Sequence, residues 1–72
     1  MITISTREQE VLQLIAFEYS MKEIAEKLYI SFETVRTHRK KLLAKMDVKN
    51  TAGLIRKGFE QGFLKISVVV AA

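Results

Sequence analysis

The sequence predicts an all-α domain in which two of four short helices meet in a helix-turn-helix. Three observations carry that expectation. Apolar residues make up 49% of the 72-residue chain, and they recur three and four positions apart rather than alternately. Proline is absent, so nothing rigidly interrupts a helical chain. Cap-forming serines and an asparagine divide the chain into four such segments, the second and third separated by only two or three residues around Tyr29 and Ile30. So tight a connection forces a large crossing angle.

The first helix is expected to start at Ser5, because Ser-Thr-Arg-Glu is a capping box: the Ser5 hydroxyl accepts from the Glu8 N–H while the Glu8 side chain reaches back. Val11, Leu12, Ile15 and Tyr19 then form an apolar stripe, with Leu14 on its shoulder. A second box opens at Ser20 with Glu23, and Tyr19 and Ile24 sit where a hydrophobic staple would close. The short helix that follows buries Ile24, Ala25 and Leu28. Ser31 is the third expected cap, flanked by Ile30 and Val35.

From Ser31 to Met46 the helix has two faces. Val35, His38, Leu42 and Met46 fall on one stripe and face a core, which makes His38 a satisfied, partly buried histidine. Glu33, Arg36, Thr37 and Lys40 fall opposite, with Arg39 and Lys41 on the flanks. Asp47 tolerates the left-handed geometry of a helix end. Asn50 or Thr51 then caps a fourth helix to about Gln61, with Ala52, Leu54, Ile55 and Phe59 apolar and Gly62 as its stop. Gly53 and Gly58 weaken that helix, or else allow another surface to approach. Ile2 and Ile4 alternate with polar residues, and Ile66 to Val70 is strand-prone. The domain is expected over 1–64, with residues 65–72 as an apolar, extended or strand-like tail docked on the body or on a second subunit.

Composition narrows the function. Without cysteine there is no disulfide, thiol catalysis or thiolate metal site, and one histidine without clustered carboxylates gives no zinc site. Neither a metal nor another cofactor is expected, and no nucleophile–base pairing suggests an enzyme. No apolar run approaches the roughly 20 residues that span a bilayer, and the N-terminus lacks the basic start of a signal peptide; a cytoplasmic location follows as the expectation. The net charge is +4. Residues 36–49 carry Arg36, Arg39, Lys40, Lys41, Lys45 and Lys49 against Asp47 alone, while residues 1–35 are net acidic. A positive field gathered on one helix favours a polyanionic partner.

With the helices placed, the chain resembles the LuxR-type (GerE-type) DNA-binding domain of bacterial transcription regulators. The resemblance runs from Ile4 to Leu64: I-S-T-R-E-Q-E-V-L-Q-L-I-A from Ile4, S-M-K-E-I-A-E-K-L-Y-I-S from Ser20, and T-V-R-T-H-R-K-K-L-L-A-K-M-D-V-K-N from Thr34. It implies a four-helix fold whose third helix, about 32–46, enters the major groove of double-stranded DNA. By motif position Arg36, Thr37 and Lys40 meet base edges, and Lys22, Thr34, Arg39 and Lys41 meet phosphates. A weak homodimer through the fourth helix, about 51–61, is also implied. A sigma-factor region 4-like module shares the start and turn but lacks the H-x-x-x-L-x-x-K-M ending. A helix-turn-helix-shaped protein-interaction module is the reading from another class.

The chain departs from the family where glycine is usual at Glu18 and Asp47. Glu18 either adopts a left-handed conformation or lets the first helix run on to Ser20. Lys41 replaces a frequent asparagine, Ala44 a basic residue, and Thr51 and Gly53 an arginine and a glutamate. Members of the family carry a regulatory domain before this one, so the chain reads as an excised domain or a stand-alone regulator.

Overall fold

A computed structural model describes residues 1–65; the expected 66–72 part of the tail lies outside the described residues. Four helices follow in order: α1 (Thr6–Ala16), α2 (Met21–Leu28), α3 (Phe32–Met46) and α4 (Thr51–Glu60). No strand occurs among the described residues, and Ile2 and Ile4 instead pack on the helical core from an irregular N-terminal segment.

Each helix starts where a short polar side chain can satisfy a first-turn N–H. Ser5 and Ser20 both form complete capping boxes, with Glu8 and Glu23 reaching back to the cap N–H groups. Ser31 accepts from the Thr34 N–H and Asn50 from the Gly53 N–H, so Asn50 rather than Thr51 is the last cap. Such caps are worth about 1 kcal/mol each.

The helix ends are less orthodox. Glu18, Tyr29 and Asp47 all have positive φ. Helix α1 therefore stops at Ala16 instead of continuing to Ser20, and the Tyr19 N–H donates to the Leu14 carbonyl across the reversal. A glutamate in that conformation costs roughly 1 kcal/mol. Tyr29 reverses the chain between α2 and α3 in the same way, its N–H bonded to Glu26 and the next one, of Ile30, to Ala25. This left-handed tyrosine is what keeps the helix-turn-helix connection so short.

Val11, Leu12, Ile24, Val35, Leu42, Met46 and Leu54 are wholly buried, joined by Ala25 and Leu64. Helix α3 sits in the middle, packed against α1, α2 and α4. Seven side chains of this size buried from four helices explain how so short a chain closes a core, each contributing about 1.5–3 kcal/mol of apolar transfer.

The glycines of α4 serve packing. A Cβ on Gly58 would stand 2.7 Å from Leu64 Cδ1, so a side chain there would push Leu64 from the place it takes over the core after the turn at Gly62. A Cβ on Gly53 would meet Val48 at 3.1 Å. Close approach, rather than a merely weak helix, accounts for Gly58. Gly62 at φ +79 turns the chain, and the Phe63 carbonyl beyond it accepts from Gln9 Nε2 at 2.7 Å, tying the end of the domain to α1.

Candidate nucleic-acid interface

The apolar stripe of α3 fixes how the helix is turned. With Val35, Leu42 and Met46 fully buried, the residues some 180° away must face outward. Arg36, Thr37, Lys40 and Lys41 are all exposed. The Arg36 side chain is 66% exposed, and its only ion pair among the described residues is a loose one, 3.8 Å from Glu33 Oε1 one turn back. A surface pair at that distance contributes little and releases the guanidinium readily. Thr37 donates its hydroxyl hydrogen to the Glu33 carbonyl at 3.0 Å, which fixes its rotamer and leaves oxygen lone pairs and a methyl group for a ligand. Thr34 is exposed in the first turn, its hydroxyl 2.8 Å from that of Ser31. Lys22 is exposed in the first turn of α2.

Two cations of α3 are engaged differently. Arg39, expected to meet phosphate, is half-buried and donates from Nη2 to Thr51 Oγ1 at 2.8 Å, bracing the start of α4 against α3. Lys45 donates to Glu8 Oε1 at 2.7 Å, and Glu8 is only 4% exposed while Lys45 is 42% exposed. Burial pushes the Glu8 carboxyl up, but Lys45 and the Ser5 N–H outweigh it and hold the carboxyl below its ordinary value. Neither Glu8–Lys45, 37 residues apart, nor Gln9–Phe63, 54 apart, leaves a signal in local spacing. Glu8 was visible only as half of a capping box.

His38 occupies the apolar stripe as expected, half-buried, but it is not satisfied. Its Nδ1 is buried and has no hydrogen-bond partner among the described residues. Among the described residues no three His, Asp or Glu side chains stand close enough to hold a metal ion. No helix there is long and apolar enough to cross a membrane.

The chain carrying this helix has counterparts among known proteins. Residues 3–57 match the GerE family model, the bacterial regulatory proteins of the luxR family. The transcriptional regulatory protein MctR of Rhizobium johnstonii is 44% identical over 61 residues, 85% of this chain and 28% of MctR. The transcription factor GerE superposes with a TM-score of 0.82 at 34% identity, covering 86% of this chain and 92% of GerE. VqmA of Vibrio cholerae, solved with its ligand and DNA, gives 0.83 at 29% identity, covering 92% of this chain and 29% of VqmA. The chain thus spans a little over a quarter of the length of the curated relatives it matches. By sequence and by fold, this chain belongs to the luxR family of bacterial regulatory proteins.

Proposed function

We propose that residues 1–64 read duplex DNA for a bacterial transcription regulator, with α3 laid in the major groove. One observation carries the reading: Arg36, Thr37 and Lys40 stand exposed along α3 while its opposite side is locked in the core. An α-helix fits the major groove, where each base pair presents a distinct pattern of donors and acceptors. Arg36 grips guanine O6 and N7 with two parallel N–H bonds, which an ammonium matches less selectively. Lys40, one turn on, donates to the next acceptors, and Thr37 offers its oxygen or its methyl group. Lys22, Thr34 and Lys41 meet phosphate oxygens on either side, setting register without reading sequence. Arg39 reaches a phosphate only with the donors that Thr51 leaves free.

Two copies pair through α4. Supporting this are Phe59, 37% exposed, and Ile55, half-buried, on a helix with its other side in the core; the relative VqmA is itself described as a dimer. So small an apolar patch gives a weak dimer that duplex DNA with two half-sites holds together. The reaction sequence of an enzyme has no place here, and the site of action is the cytoplasm, where the chromosome lies. The reading unit ends at Leu64, so truncation after it is expected to leave DNA affinity intact.

Selection of sites from a random duplex library tests the reading directly. The expected result is an enriched motif bound in a salt-sensitive manner, as counterion release requires. No enrichment, and no mobility change with random duplex at low salt, would leave a protein-interaction module as the better description.

A further inference from the structure

Phe32 is the first residue of α3 and is 43% exposed, outside the core cluster. The exposed part of this large aromatic side chain contributes nothing to folding and stays available for an apolar contact outside the domain. Its position relative to the proposed reading stripe is specific. Four residues before Arg36 on a 3.6-residue turn, it lies about 40° from Arg36 around the helix and about 6 Å before it along the axis. It therefore stands one turn ahead of Arg36, at the N-terminal end of α3, the part of a recognition helix that reaches base edges. Its neighbours there, Glu33, Arg36 and Thr37, are exposed as well.

We infer that Phe32 reads a thymine by contact with its C5 methyl group. This rests on the proposed placement of α3 in the major groove. The chemistry of the site selects the ligand: a phenyl ring has no donor or acceptor to match an amide or carbonyl edge, and the C5 methyl of thymine is the one apolar group the major groove displays. Arg36 and Lys40 supply charge and hydrogen bonds; Phe32 supplies what they cannot, an apolar contact that tells the thymine C5 methyl from its absence at a neighbouring step. With about 6 Å of helix between the two side chains and 3.4 Å between base pairs, that thymine falls within about two base pairs of the pair Arg36 grips.

The test replaces thymine by uracil, which keeps every pairing and hydrogen-bonding group and lacks only the methyl. On the motif enriched by the wild-type protein, each thymine is changed singly and Kd is measured by fluorescence anisotropy for wild type, Phe32→Ala and Phe32→Leu. One thymine per half-site, near the Arg36-dependent base pair, is expected to give about fourfold weaker wild-type binding as uracil, the factor for one methyl group losing its apolar partner. Phe32→Ala is expected to be insensitive to that change, and Phe32→Leu to retain part of the sensitivity. Because the uracil arm uses unaltered protein, a folding defect in a variant does not blur it. Equal affinity of wild type for thymine and uracil at every position would overturn the role of Phe32 while leaving the DNA-reading proposal in place. So would identical uracil penalties in wild type and Phe32→Ala. Failure of the wild type to enrich any motif would overturn both together.

Discussion

Five cations of α3 divide into two sets that composition treats alike. Arg36, Lys40 and Lys41 are exposed, the first held only by a loose pair with Glu33. Arg39 and Lys45 are committed inside the domain, to Thr51 and to the buried Glu8. The first set lies off the buried stripe with no partner from another helix among the described residues; the second meets residues of α4 and α1. A charge count of the helix therefore overstates what a polyanion can meet. What the neighbouring helices bring opposite a cation decides whether it is a ligand donor or an internal strut.

The sharpest way to break this division is to exchange the consequences of Arg36 and Lys45. Arg36→Ala is expected to cost about 1–3 kcal/mol of binding to the enriched motif and to relax the preference at one base pair, with the melting temperature unchanged. Lys45→Met keeps the apolar stem but leaves the Glu8 carboxylate buried without its cation. Removing one partner of a fully buried pair costs about 3–5 kcal/mol, and the exposure of Lys45 brings the expectation down to about 1–2 kcal/mol. In a domain of this size that lowers the melting temperature by roughly 4–16 °C, while affinity per folded molecule stays near wild type. Thermal melts and titrations on the same samples check both. A large loss of DNA affinity in folded Lys45→Met would erase the distinction.

The Glu8 pair also sets a pH dependence. Because its carboxyl is held below the ordinary value when folded, its contribution is fully present above the usual carboxylate range. It is lost as pH falls through the lowered folded value. Wild type should therefore lose stability in acid more steeply than Glu8→Gln, which preserves a side chain able to complete the capping box but carries no charge. The two denaturant midpoints are expected to converge as pH falls below that range; parallel profiles would show that the charge contributes nothing.

What could be read from the chain beforehand follows the range of the interactions. The caps at Ser5, Ser20, Ser31 and Asn50 bond three residues ahead, so residue type and spacing reveal them. The two faces of α3 were equally legible, because Val35, Leu42 and Met46 orient the helix whatever it packs on. Asp47 announced its left-handed end, whereas Glu18 left two geometries open and Tyr29 gave no sign of one. Those two conformations are imposed by the packing of the helices on either side. The division among the cations was hidden for the same reason: Lys45 meets Glu8 and Arg39 meets Thr51 only once α1 and α4 are docked. His38 looked satisfied because a buried histidine usually is, and only three-dimensional neighbours could show that Nδ1 has no partner among the described residues.

Arg39 marks the boundary between the two sets, and its effect is the smallest and the most informative. If the guanidinium is chiefly a strut, its value depends on the Thr51 hydroxyl 2.8 Å away. Arg39→Ala and Thr51→Ala should then each destabilise by about 0.5–1.5 kcal/mol, the usual net worth of a hydrogen bond. The double variant should cost less than their sum, since each change removes the same bond. The salt dependence of DNA binding separates the roles further. Lys41→Ala is expected to lower the slope of log Kd against log salt by about one, the loss of a phosphate contact, whereas Arg39→Ala should lower it by less because the guanidinium is held at Thr51 and makes a less complete phosphate contact. Equal slope changes for the two variants, with no coupling between Arg39 and Thr51, would move Arg39 into the outward set and reduce the internal one to Lys45.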